Sequence, residues 1–413
     1  MEPRFEDLQG DGGTVDVDFF APSFTANPYA ELARLRQHSP IAWSARLNAW
    51  VVTGHHEVQR MLKDHRLSSA RTEIYTRGVP ECARGDAEAY TGFLDRWLLF
   101  RDGASHRGLR APAVRAVKPQ RLHWVRSTAI ETVQELASNL VGRTEFDLMA
   151  DFAERFVLRT IARIIGIPSE DIPAFAAWSQ GGFLLDGTGE VSAEAVRTAQ
   201  RNVASIRSYL QELVEKRRAL PQDDLLSTIA AEFTASGVSQ EETIANCINI
   251  VVGSHETTKY LIGNAALALL EHPGQLAVLH EQPELLPGAV DELIRFDGSF
   301  FSVIRRCGEP AEFSGVRMEP GQYVFCMLNA ANRDPERFEL ADQLVVTRRD
   351  AGHLGFGQGP HFCIGAGIGR ILTEVALQVL VPLLTRFRVA GEPLDWLPSL
   401  SLRGLRSLQL TSR

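Results

Sequence analysis

Gly355-Phe356-Gly357-Gln358-Gly359-Pro360-His361-Phe362-Cys363-Ile364-Gly365 is the stretch that decides how this chain is read. A cysteine stands at the end of a loop rich in glycine and interrupted by proline. An apolar helical pattern then runs through Arg370 to about Leu380. A thiol so placed faces the positive end of a helix and its free backbone N–H groups. Both favour the thiolate over the thiol. A loop with little side-chain bulk also lets a large flat group come close to the sulfur. The commoner fate of a lone cysteine is burial as a small apolar residue.

The string resembles the haem-ligand loop of the cytochrome P450 superfamily, Phe-x-x-Gly-x-(His or Arg)-x-Cys-x-Gly. Phe356, Gly359, His361, Cys363 and Gly365 fall on it. The cofactor this resemblance implies is haem b (iron protoporphyrin IX), with Cys363 as the iron ligand. Thiolate ligation pushes electron density onto haem iron and favours O–O cleavage. Gly365, Gly367 and Gly369 open the following helix. Each costs ~1 kcal/mol against Ala within a helix, which points to close backbone contact with something broad.

Composition sets outer bounds. The 413 residues are 45% hydrophobic and 23% charged, as in an ordinary globular protein. No linker, repeat or low-complexity run divides them, so residues 1–413 are expected to form one domain. A net charge of −8 argues against nucleic acid as a partner. The apolar runs fall short of a membrane span and the acidic N-terminus does not read as a signal peptide. Cys82, Cys247, Cys307, Cys326 and Cys363 lack paired spacing, which reads as reduced and cytoplasmic.

Helical patterns dominate the chain. The clearest carries apolar residues at Ile244, Cys247, Ile248, Val251, Val252, Leu261, Ile262, Ala265 and Leu269. Ser239 with Glu242 makes a capping box at its start, and Pro273 closes it. Such a helix is roughly 45 Å long at ~1.5 Å per residue. Residues 41–53 read as a hairpin, and 302–306, 321–327, 399–402 and 408–411 as short strands. Residues 67–91 have no clear period and read as a long loop.

Midway along the long helix stands Gly253-Ser254-His255-Glu256-Thr257-Thr258. A polar cluster in an otherwise apolar helix is costly unless it is used. It resembles the family's oxygen-activating Ala-Gly-x-(Asp/Glu)-Thr, with Glu256 and Thr257 on the pattern as proton-delivering residues. Gly253-Ser254 departs from Ala-Gly, so Ser254 adds a hydroxyl to the candidate catalytic set.

Glu292 and Arg295 are spaced as a helix-face ion pair and resemble the Glu-x-x-Arg that anchors the loop beneath haem. Arg337 and Arg348 both stand as candidates for a third arm. The resemblance assigns haem propionates to His106 and Arg110, on the family's His-x-x-x-Arg, and to Arg305 and His361; Arg306 is an alternative to Arg305, and Trp97 lies upstream. His361 and Cys363 could instead ligate zinc, but no second Cys/His pair accompanies them.

These motifs occur in the family's order across residues 27–408, and Asn332-Arg333-Asp334-Pro335 is typical of bacterial members. The implied fold is mainly α, one large haem-thiolate monooxygenase-type domain with minor β-sheets. The implied partners are a ferredoxin and its ferredoxin reductase, O2 and a small apolar substrate, with a secondary-metabolite intermediate expected. Phe183, Val252, Phe300, Phe301 and Val303 are candidates for the substrate lining. Arg107, Arg110, Arg115, Lys118 and Arg121 form a basic stretch suited to an acidic ferredoxin. The same haem could serve oxidative coupling or cyclisation without oxygen insertion. A gas sensor would not need Glu256-Thr257.

Overall fold

The long helix runs from Gln240 to Glu271, 32 residues. Ser239 Oγ accepts from the Glu242 N–H at 3.2 Å and donates to the Glu242 carboxylate at 2.9 Å, closing the start. At the other end, Pro273 opens the next helix, Pro273–Glu281. The helix is buried on all sides over 243–248 and again over 258–269. A helix apolar all round belongs inside a large core.

The structure, a computed structural model, describes residues 13–118, 121–179, 192–350, 352–391 and 393–413. Its helices enclose the long helix, and one apolar core runs from Val15 to Leu410. Ala366–Leu384, the helix after the cysteine loop, packs on both the long helix and Leu122–Ala137. By length and composition it could cross a membrane, contrary to the expectation that no apolar run is long enough. Here it is built into the core.

The main sheet lies to one side. Its six strands run Thr14–Val15, Ile41–Ser44, Ala49–Val52, Tyr323–Met327, Ser302–Cys307 and Leu67–Ser68 from edge to edge. Ile41–Ser44 and Ala49–Val52 form the expected hairpin, and Asn48 takes the left-handed conformation its tight turn requires. Leu67 pairs with Cys307 and Ser68 with Arg306, which brings the following segment against the inner strand. Phe387–Val389, Gln409–Ser412 and Glu145–Asp147 make a second sheet, and Ala311–Phe313 with Val316–Met318 a small hairpin.

Two local expectations fail. Residues 67–91 are not a single loop: Arg84–Leu94 is a helix that buries Ala87, Tyr90, Phe93 and Leu94. Its helical spacing is present, but Gly85, Gly92 and the preceding Pro80 obscure it. Residues 399–402 form no strand. The Ser399 hydroxyl takes the N–H groups of Ser401 and Leu402, and the loop joins Phe300 by one isolated bridge at Leu402. The other strands lie within two residues of the expected bounds.

Ser239→Ala removes the cap of the long helix. It is expected to cost about 1 kcal/mol, read as a lower urea midpoint with an unchanged slope.

Candidate active site

The cysteine loop gets its shape from backbone geometry. Gly357 and Gly359 adopt φ of 69° and 74°, and a Cβ on Gly359 would stand 2.9 Å from the Leu62 carbonyl. A side chain is excluded there on both counts. The Cys363 N–H donates to the Phe356 carbonyl at 2.9 Å, folding the loop back on itself. Gly365 caps the following helix. Its N–H bonds the Cys363 sulfur and, with Arg110 and Arg370, favours the thiolate, but burial outweighs all three and pushes the thiol up. Yet Cys363 retains exposed surface. A thiol that is both desolvated and accessible lines an internal recess.

The other glycines serve packing. A Cβ on Gly367 would meet Leu122 at 3.3 Å, and one on Gly369 would meet the Phe356 ring at 3.6 Å. Gly367 makes room for the neighbouring helix, and Gly369 lies at ordinary contact distance from the ring. The Phe356 ring in turn lies under the Arg370 guanidinium at 4.5 Å.

Glu292 and Arg295 lie buried on the helix Leu286–Asp297. Arg295 holds Glu292 with two hydrogen bonds of 2.7 and 2.9 Å. Arg348 is the third arm, donating to Glu292 at 3.0 Å, whereas Arg337 pairs with Asp350 near the surface. Asp291, which sequence reasoning passed over, extends the same helix to the cysteine loop. It accepts from His353 at 3.0 Å and Arg370 at 2.7 Å. Burial pushes its carboxyl up, but those two bonds prevail and hold it below the ordinary range.

His106, Arg110, Arg305 and His361 form one wall. The rings of His106 and His361 lie 4.1 Å apart. Burial first, then His361 and Arg110, lower the His106 imidazole to about 4. His361 reaches Asp102, at the start of the His106 helix, at 3.5 Å. Arg110 donates to the Phe362 carbonyl at 2.6 Å and so clamps the loop beside Cys363. Arg305 is buried, while Arg306 turns outward to Glu73 at 3.5 Å. Of the two, Arg305 is the one that faces inward.

Arg71 stands close enough to Arg305 to repel it. Burial and Arg71 together bring Arg305 down to about 10. Arg71 is itself buried, bonded to the Ser69 carbonyl at 2.8 Å and set 4.9 Å over the Phe100 ring. Among the described residues, Ser69 Oγ, Arg71 Nε, Trp97 Nε1, Arg101 Nε and His106 Nε2 are buried without a hydrogen-bond partner. Each such group costs about 1–3 kcal/mol. A wall of buried cations and unmet donors suits a carboxylate-bearing ligand, and haem b with its propionates fits. Among the described residues no group of three or more His, Cys, Asp and Glu could hold a metal ion, so the zinc alternative has no support.

The long helix opens between its buried turns. Asn249, Ile250, Gly253, Ser254 and Thr257 are half-buried, on one face at helical spacing. A Cβ on Gly253 would meet no atom of the described residues within 4 Å. A half-buried face between buried turns is a gap in the helix's packing. Ser254 Oγ donates to the Val251 carbonyl and Thr257 Oγ1 to the Gly253 carbonyl, both at 2.7 Å. Glu256 does not share this face. It is buried toward Tyr260, whose phenol is pushed up by burial and then by Glu256.

The candidate substrate-lining residues differ in exposure. Val252 and Phe301 are core residues, 3% exposed, with Phe301 packed edge-on to Phe24. Phe300 and Val303 keep accessible surface. Phe183 lies outside the described residues. The basic stretch is also less free than expected. Arg115 donates to Glu232 at 2.7 Å, Lys118 lies 4.0 Å from it, and Arg121 is 3.7 Å from Asp223. Arg107 is exposed without an ion-pair partner among the described residues.

A thiol in a recess, a carboxylate-binding wall and a helix opened beside a Ser/Thr pair together describe a haem-thiolate enzyme. Comparison with known proteins agrees. Residues 191–403 match the family model for Cytochrome P450. The chain is 34% identical over 406 residues to Cytochrome P450 107B1 of Saccharopolyspora erythraea, covering 96% of this chain and 98% of that one. It is 31% identical over 410 residues to Cytochrome P450 monooxygenase PikC of Streptomyces venezuelae, covering 97% and 94%. Among solved structures, P450BioI in complex with an acyl carrier protein ligated to hexadec-9Z-enoic acid superposes with a TM-score of 0.86 at 31% identity, covering 95% of this chain and 100% of that one. The chain belongs to the cytochrome P450 family. It is therefore an oxidoreductase with a haem b thiolate cofactor, taking electrons from redox partners and acting on small molecules with O2.

Arg71→Gln is expected to speed haem loss to excess apomyoglobin about tenfold, the equivalent of one charge-assisted hydrogen bond of about 1.5 kcal/mol. Arg306→Gln, on the outer side of the same strand, should leave that rate unchanged.

Proposed function

We propose that residues 1–413 act as one cytoplasmic catalytic domain in which Cys363 ligates the iron of haem b, and that the enzyme hydroxylates or epoxidises an apolar secondary-metabolite intermediate. The observation that carries this is the Cys363 thiol, enclosed by the protein yet accessible, with a donor bonded to its sulfur. The chemistry supplied by the bound cofactor is reductive O–O cleavage, which thiolate ligation favours.

The chain's own residues do the rest. The Gly365 N–H bonds the sulfur and favours its thiolate form against the burial that opposes it. His106, Arg110, Arg305 and His361 bind and orient the carboxylates, joined by Arg71, Trp97 and Arg101. Thr257 and Ser254 spend their protons on helix carbonyls at rest, so each hydroxyl oxygen is left to accept from water in the cavity. Glu256, on the adjacent face, supplies the proton that Thr257 Oγ1 positions. Gly253 keeps this face open, and Phe300 and Val303 offer apolar surface to the substrate.

Incorporation of one atom of labelled O2 into product is the test. Hydroxylation or epoxidation retains the label, whereas coupling or cyclisation leaves product unlabelled. Cys363→Ser should abolish the red-shifted band of the reduced carbon monoxide complex; a mutant that keeps it would place the iron on another ligand.

Thr257→Ala should leave substrate binding within about twofold and raise the share of electrons lost as hydrogen peroxide several-fold. Glu256→Gln should slow turnover more than it weakens binding. Equal coupling in both variants and the parent would assign proton delivery to Ser254 or the substrate.

A ferredoxin, reduced by its reductase, is the proposed donor, docking beside the exposed Phe362 and Arg107. Arg107→Glu should lower the association rate with the ferredoxin, most at low salt, where exposed charges are least screened. Peroxide-driven turnover needs no donor and should be spared.

A further inference from the structure

The long helix carries Asn246, Asn249 and Asn264, and the protein treats one of them differently. Asn246 accepts from the Leu98 N–H at 2.7 Å and donates to the Arg96 and Glu242 carbonyls. Asn264 donates to the carbonyls of Asp297 and Arg403. The Asn249 carboxamide has no hydrogen-bond partner among the described residues. Asparagine is a poor helix former, because its side chain competes for backbone groups. At Asn249 no local bond offsets that cost.

Its position says what the amide faces. Asn249 stands on the half-buried face with Gly253 and Thr257, at intervals of four residues. That face opens only between turns buried on every side, which points Asn249 toward the interior and not the outer surface. Ser254 and Thr257 are already bonded to the helix. The Asn249 amide is thus the uncommitted side-chain donor and acceptor of the stripe. It stands about 6 Å along the axis from Gly253 and about 12 Å from Thr257, at ~1.5 Å per residue.

We infer that Asn249 determines substrate specificity by hydrogen bonding to a polar group on an otherwise apolar substrate, set roughly 6–12 Å from the carbon that is oxidised. A ketone, hydroxyl, ester or amide meets this description, since the carboxamide both donates and accepts. This rests on the haem-thiolate site proposed above and narrows its substrate class. A site built to bond such a group rejects the analogue lacking it, because its own polar atoms are then left unpaired.

The test uses ligands anchored on the iron, so that no knowledge of the natural substrate is needed. A series of 1-alkylimidazoles of increasing chain length is compared with the matching ω-hydroxyalkylimidazoles, by titrating the haem absorption band of the holoenzyme. At one or two chain lengths the hydroxyl should tighten binding to the parent protein about three- to tenfold, as one hydrogen bond would. In Asn249→Leu, and in Asn249→Ala as a smaller second variant, that preference should vanish. The plain alkyl ligands should bind as well as before, or better. A hydroxyl-to-methyl ratio that is the same in parent and variants at every length overturns the assignment of Asn249. Failure of every imidazole to shift the band of the parent would instead overturn the haem site itself.

Discussion

Arg295 carries the weight of this structure. Its side chain has no exposure to solvent. A guanidinium offers five N–H donors and no acceptor, so burying it is tolerable only if each donor is met. Here each one is. Two go to the Glu292 carboxylate, two are shared between the Asn332 and Ala341 carbonyls, and the last reaches the Gln343 carbonyl. The carbonyls come from a segment with little regular structure, which the cation gathers into one shape. Glu292 then accepts from the Val345 N–H and from Arg348, tying in the next stretch. Asn332, held through its carbonyl, uses its side chain to take the Leu354 N–H at the entrance to the cysteine loop. The chain of bonds from a buried cation to the thiol is continuous, and the loop's glycines need only complete it.

The wall opposite obeys the converse rule. Arg71 and Arg305 are buried cations with no ion-pair partner among the described residues, and they repel each other. What is satisfied under the loop is left unsatisfied above it. Buried polar groups are nearly always paired in folded proteins, so such a cluster favours an anionic partner. The neutral His106 imidazole fits the same pattern, since one more positive charge here would only add to the repulsion.

Contiguous signals were legible in the sequence. The cysteine loop, the capped long helix and the Glu-x-x-Arg pair each lie within a few residues, and the structure keeps their local geometry. What sequence could not supply was whatever the tertiary fold brings together. Arg71 means nothing in its own segment; it matters because Leu67–Ser68 pairs with the strand that carries Arg305. Arg348 prevails over Arg337 only because the segment after Asn332 wraps back on Glu292. Asp291 lies beside a motif residue, but its partners His353 and Arg370 are distant in sequence. Val252 and Asn249 are both mid-helix residues on an apolar background. Only the rotation of the helix in its core leaves Val252 buried and Asn249 half-buried.

The window in the long helix has a consequence for how such a chain can diverge. In the proposed site, stability and selectivity fall to different turns of one helix. Turns 243–248 and 258–269 are enclosed, and exchange there disturbs packing. The open face between them touches little: a methyl group at Gly253 would meet nothing, and Asn249 is bonded to no described residue. In that reading, substitutions at the open positions of this window change what the site admits while disturbing little of the core packing. The scaffold can therefore drift between substrates by single steps, with no stabilising change needed first.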